Sequence, residues 1–161
     1  MHPLNRHMMY RHSPLNSLGF TYIGLLIVIA IAGIGLAVVG VLWQTEMQRE
    51  REKELLFIGH EFKQALRSYA GSTPGGIQQS PRNLNELVLD QRYPNIKRHL
   101  RKIYVDPMTG KANWGLELQQ GVIVGIHSVS ILKPIKKTGF ATGDEAFANS
   151  TQYSDWKFGV M

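Results

Sequence analysis

From Phe20 to Trp43 the chain carries no charged side chain, and a run of that kind admits few structures. As a helix its 24 residues extend roughly 36 Å, enough to cross the hydrocarbon of a bilayer. Only a helix, which bonds its own amides, tolerates that environment as a single segment. A buried core helix is the competing reading, but the rest of the chain is too small to surround so long an apolar rod on every side. Membrane insertion of residues 20–45 is therefore the expectation. Arg6, Arg11 and three histidines precede the run with no acid among them. Such a basic flank favours keeping the N-terminal side cytoplasmic and the C-terminal part across the membrane.

At 161 residues, one domain with an appendage is what the chain can hold. Glycine and proline show no period and cysteine is absent, which excludes collagen-like and disulfide-stapled classes. The lack of thiols leaves the compartment open, since an oxidising one would pose no folding problem. A secretory signal would place a short apolar stretch first and small residues for cleavage after it. Here the order is reversed, with Gly19 standing before the apolar stretch. Removal of the polar leader alone would leave an anchored protein beginning at Phe20.

Gly19-Phe20-Thr21-Tyr22-Ile23, followed by the apolar residues Leu25 to Ala32, Gly33 and Ile34, resembles the N-terminal signature of type IV pilins and type II secretion pseudopilins. The resemblance implies a prepilin leader at 1–19, cleavage after Gly19 by a prepilin peptidase and N-methylation of Phe20. It also implies an α+β, pilin-like fold, in which one long N-terminal helix, membrane-spanning in its first half and amphipathic in its second, packs on a small antiparallel sheet. The implied location is the bacterial inner membrane, single-pass, with residues 46–161 forming a periplasmic helix extension and head. The implied partners are other pseudopilins, the peptidase, the inner-membrane secretion assembly platform and the lipid bilayer. No cofactor, catalytic residue or nucleic acid is expected. Two other readings stand beside a secretion subunit: a type IV pilus subunit, and a single-span periplasmic binding domain with no filament role.

The family usually has glutamate where this chain has Gly24. A carboxylate in hydrocarbon costs about 2.5 kcal/mol or more and persists only with a partner, in the family the N-terminal amine of a neighbouring subunit. Family members lacking the acid include minor pseudopilins at the filament tip, so Gly24 points to such a subunit. Alternatively it is a flexible point in an apolar helix, at a cost of only ~1 kcal/mol. Ala30, Gly33, Ala37 and Gly40 recur at three and four residues along one helical face. They read either as a packing surface for close helix approach or as the ordinary glycine content of membrane helices.

Residues 46–54 mix signs at helical spacing, as in Glu46/Arg49, Glu50/Lys53 and Arg51/Glu54, which supports an exposed helix by a few tenths of a kcal/mol per pair. Neither glycine nor proline interrupts Val41 to Ile58. Leu55, Ile58, Phe62, Ala65, Leu66 and Tyr69 then form the apolar stripe of an amphipathic helix, which ends at Gly71-Ser72-Thr73-Pro74. The remaining residues read as a small mixed domain over that stripe. Asn83 and Glu86 predict a short helix carrying Leu84, Leu87 and Val88. Asp106-Pro107-Met108-Thr109-Gly110 is turn chemistry. Leu116, Leu118, Val122, Val124 and Ile126 alternate about Gln119-Gln120-Gly121 and predict a hairpin. Residues 140–149 read as a loop and 153–158 as a final edge strand.

Chemistry is sparse. His60-Glu61 lacks the second histidine of a zinc-protease helix, because Gln64 stands in its place. Gly-x-Ser-x-Gly is absent, and His127-Ser128 reads as a half-buried strand pair. Asp144, Glu145 and Asp155 are oxygen ligands of the type calcium takes, spread too widely for a dedicated loop. Arg92, Lys97, Arg98, His99, Arg101 and Lys102 form a basic run that reads as a solvated face, with acidic neighbours or lipid phosphates as its alternative partners.

Overall fold

The structure, a computed structural model, describes residues 18–73, 75 and 78–160, the side chains of 18–20, 36–39 and 41 excepted. Of the expected leader 1–19, residues 1–17, with Arg6 and Arg11, lie outside the described residues. The chain divides into two units, Met1–Trp43 and Gln44–Met161. Helix α1 runs Leu18–Gly71, 54 residues, and stops at the glycine that the sequence marked. Among the described residues no helix is long and apolar enough to cross a membrane. The membrane-spanning first half thus remains an expectation from the sequence.

From residue 44 on the molecule is a head of α+β class: one helix covered by a three-stranded antiparallel sheet and its loops. The predicted stripe is the centre of its core. Leu55, Ile58, Phe62, Ala65, Leu66 and Tyr69 are all buried, against Leu87, Trp114, Ile123, Ile126, Tyr153, Trp156 and Phe158. Full burial of a large apolar side chain contributes about 1.5–3 kcal/mol, so this shared face, and not helix propensity, holds α1 in the head.

Gly59 breaks the run of good helix formers for a steric reason. A Cβ there would lie 2.4 Å from the Phe158 ring, so only glycine lets the C-terminal aromatic reach the helix. Gly59→Ala is expected to destabilise the head by about 1–3 kcal/mol, even though alanine is the better helix former; an unchanged urea midpoint would show that the ring moves aside freely.

Helix α2, Asn85–Val88, is a single turn. Asn83 and Glu86, which predicted it, form no capping box there. Asn83 Oδ1 does accept from the Asn85 amide at 3.0 Å, but the Glu86 carboxylate accepts from the Tyr69 hydroxyl at 2.7 Å and from the Arg82 amide. Glu86 therefore ties α2 to the end of α1.

Strands β1 (Trp114–Gln119), β2 (Val122–Ser128) and β3 (Phe158–Gly159) lie in that order. The predicted hairpin is present. Gln120 and Gly121 take φ of 52° and 79°, the two left-handed residues of a tight turn whose twist matches the strands. The inward face differs from simple alternation. The register shifts between Glu117 and Leu118, opposite Gly125 and Ile123, so Val124 is an extra residue. The bulge turns Ile123 and Ile126 into the core and leaves Val122 and Val124 only half-buried.

The edge strand expected at 153–158 is mostly not a strand. Tyr153–Asp155 is a 3-10 turn, and only Phe158 and Gly159 pair with β2. Tyr153 and Trp156 are both fully buried, and side chains three apart share a side in a turn but not in a strand. The Asp155 carboxylate closes that turn by accepting from the Thr151 and Gln152 amides at 2.9 and 3.1 Å. Within the expected loop at 140–149, Glu145–Asn149 is likewise a 3-10 turn.

Candidate functional site

The most unusual surface of the described chain is the N-terminal part of α1. Tyr22, Ile23, Leu25, Leu26, Ile27, Val28, Ile29, Ile31 and Ile34 are each 47–68% exposed. They lie all round the helix, not along one stripe. A contiguous apolar patch of this kind in a water-soluble monomer would be a binding or aggregation surface. Gly24, Gly33 and Gly40 have no heavy atom within 4 Å of an ideal Cβ, and Ala30 is exposed. They leave open helix surface; Ala37 falls among the residues whose side chains are not described. Gly19 and Phe20 lie in the first turn of α1, which begins at Leu18.

Immediately beyond that surface, the helix is fastened to the head by polar groups that the sequence hides in a charged run. Glu52 is buried. Its carboxylate accepts from the backbone amides of Ile135 at 2.6 Å and Lys136 at 3.1 Å, and from the Tyr153 hydroxyl at 2.8 Å. Gln48 Nε2 donates to the Lys133 carbonyl at 3.0 Å and the Tyr153 hydroxyl oxygen at 2.8 Å. Burial of the Tyr153 phenol raises its pKa well above the ordinary tyrosine value. Glu52 is thus no part of the exposed charged face expected for 46–54, whereas Glu46/Arg49 and Glu50/Lys53 do pair on the surface. A signal existed: Gln48 and Glu52 precede Leu55 by seven and three residues, so they continue the apolar stripe on the same face.

At the other end of α1 the basic run is not a uniform solvated face. Asp90, fully buried, receives Arg92 Nε at 2.9 Å and Nη2 at 2.7 Å, with His99 Nε2 at 3.1 Å. The Arg92 guanidinium, chiefly through these hydrogen bonds, holds the Asp90 carboxyl far below the usual carboxylate range. Arg92 also donates to the Tyr69 carbonyl at 3.0 Å and to Thr73 Oγ1, and its guanidinium lies 3.6 Å from the centre of the Tyr69 ring. Helix α1 has no basic residue in its own last turn; Arg92 supplies that charge to the carbonyl end of the helix. Burial and the bond to Glu86 push the Tyr69 phenol up to about 12. Lys97 and Lys102 sit over the rings of Tyr93 and Tyr104.

The remaining chemical candidates are dispersed. His60 and Lys63 pair with the buried Asp144, Glu145 accepts from the Gly143 amide, and Asp155 closes its own turn. The three carboxylates therefore have separate partners, and among the described residues no cluster of three metal-ligating side chains occurs. Ser128 Oγ donates to Asp106 Oδ2 at 2.7 Å, while His127 Nδ1 lies 3.1 Å from Glu117 on β1. The two thus serve different neighbours and form no nucleophile–base pair. Comparison of the chain with protein-family models, with curated proteins and with solved structures found no match.

Proposed function

We propose that the chain is a pilin-like subunit of the pseudopilin type, anchored in the bacterial inner membrane through residues 20–45 and assembled with other such subunits into a short periplasmic filament that drives protein export. The observation that carries this reading is the apolar surface of α1, exposed on all sides from Tyr22 to Ile34 and continued in sequence to Trp43, directly after the Gly19-Phe20 junction. Lipid first and neighbouring helices later would both cover such a surface, and Ala30, Gly33 and Gly40 leave room for close helix approach. An α+β head in which the same helix supplies the core stripe suits a subunit whose spine is shared between polymer and fold. Gly24 removes the buried carboxylate that major subunits carry and favours a minor or tip position.

The mechanism is mechanical. Subunits are drawn from the bilayer as their helices pack laterally, and the growing stack pushes cargo outward. The chain is a substrate of the prepilin peptidase and not a catalyst. Mass spectrometry of membrane-extracted protein from strains with and without the peptidase tests the reading. Loss of residues 1–19 together with one added N-methyl group is expected only where the peptidase is present. The same unprocessed mass in both strains would leave a single-span domain without filament role as the better account.

A further inference from the structure

In the head, the segment 129–137 has the composition Val-Ser-Ile-Leu-Lys-Pro-Ile-Lys-Lys, three lysines and no acid. Its backbone is fixed on both sides. The Leu132 carbonyl accepts from the Tyr153 amide at 3.1 Å and the Lys133 carbonyl from Gln48. The amides of Ile135 and Lys136 donate to Glu52. Yet Ile131 is 79% exposed, the highest value among the described large apolar side chains, and Leu132 is 53% exposed. A loop held by so many bonds presents these two side chains by construction. From Ile135 on, the same segment lines an open cleft of about 350 Å³ with Arg49, Glu52 and Lys53, through Ile135, Lys136, Lys137 and Thr138.

Two exposed aliphatic side chains in one short segment with three lysines form the pattern of a surface that enters the headgroup layer of an anionic bilayer. Opposing charges are present. Glu46 and Glu50 pair with Arg49 and Lys53 at 3.8 and 2.6 Å, and Glu52 is occupied by backbone amides. Lys137 Nζ donates to the Ser150 carbonyl at 2.7 Å, and Lys136 lies over the Phe140 ring. Both of those partners are uncharged, so the loop keeps the three positive charges of Lys133, Lys136 and Lys137. Gln48, which pins the loop, follows Trp43 by five residues in the sequence.

We infer that the 131–137 loop is a lipid-docking surface: Ile131 and Leu132 insert into the headgroup layer of an anionic membrane while Lys133, Lys136 and Lys137 hold its phosphates. This rests on the anchored reading for its position, but its chemistry is separable. The chain has no cysteine, so Ile131→Cys, and Ala112→Cys as an exposed reference, can each carry an environment-sensitive fluorophore at a single site. The labelled full chain is mixed with vesicles of phosphatidylcholine alone, or with roughly one third phosphatidylglycerol, and vesicle flotation and quenching by a lipid-borne quencher are read together. The label at 131 is expected to shift to the blue and be quenched only with the anionic lipid, while the label at 112 stays aqueous. Lys133→Gln, which keeps the carbonyl that Gln48 uses, should weaken docking about fivefold, and changing all three lysines on the order of a hundredfold.

A label at 131 that stays aqueous while the chain floats with the vesicles overturns the docking loop and leaves the anchor untouched. A label that reaches lipid equally in both compositions also overturns it. A chain that floats only with the anionic vesicles, with the 131 label in lipid, supports the loop and removes the anchor. Flotation with neither removes both.

Discussion

Asp90→Ala is expected to lower the stability of the head by about 3–5 kcal/mol, because it breaks a buried ion pair from one side only. The guanidinium of Arg92 and the His99 ring, itself 1% exposed, would both lose their buried carboxylate partner. Arg92 would also lose the carboxylate that aims it at the Tyr69 carbonyl, so the last turn of α1 should fray with it. Urea melts of the full chain measure the first effect and hydrogen exchange at Ser72 and Thr73 the second. A change below about 1 kcal/mol would mean that water replaces the carboxylate, as at a surface pair. The acid limb gives an independent check. A carboxyl whose folded pKa is depressed contributes stability that is complete above its unfolded value, about 3.9, and is lost as pH falls toward the folded value. The wild-type chain should therefore lose stability steeply below about pH 4, and Asp90→Asn should lack that part of the slope.

Glu52→Ala is expected to cost about 3 kcal/mol, since hydrogen bonds to a charged group contribute about 1.5–3 kcal/mol and their buried donors would be stranded. The Ile135 and Lys136 amides and the Tyr153 hydroxyl all converge on this one carboxylate. Glu52→Gln keeps one acceptor oxygen and should lose roughly half as much. Amide exchange distinguishes this from a general loss of core. Residues 135 and 136 should exchange faster in Glu52→Ala, while Ile123 and Ile126, in the sheet, change only with global stability. Unaltered exchange at 135 and 136 would show that the loop is held by other groups.

The helix and its buried face were legible in the sequence because they depend on spacing alone: six apolar residues spaced by three, four, three, one and three, and a glycine-proline stop. The hairpin was legible from Gln120-Gly121, where two left-handed residues are needed. What the sequence concealed were contacts between residues far apart in the chain. Glu52 looked like one charge in an exposed run, although its position on the stripe placed it indoors. Asp90 drew no notice, yet it organises two members of the basic run and the end of α1. The turn at 153–155 read as the start of an edge strand because Trp156 and Phe158 alternate with Lys157, but Tyr153 and Trp156 stand three apart, the spacing of a turn, and the Asp155 carboxylate caps it. In the N-terminal part the sequence said more than the head can, since an evenly apolar helix has no internal partner to reveal.

The Phe158 ring that fills the notch at Gly59 is encoded about a hundred codons after it. At a synthesis rate of roughly 5–20 residues per second, the greasy side of the nascent helix waits on the order of 5–20 s for its lid. Through that interval the polypeptide resembles a sticky thread more than a domain, and delivery across a bilayer while still unfolded would coincide with the time when it most needs shelter.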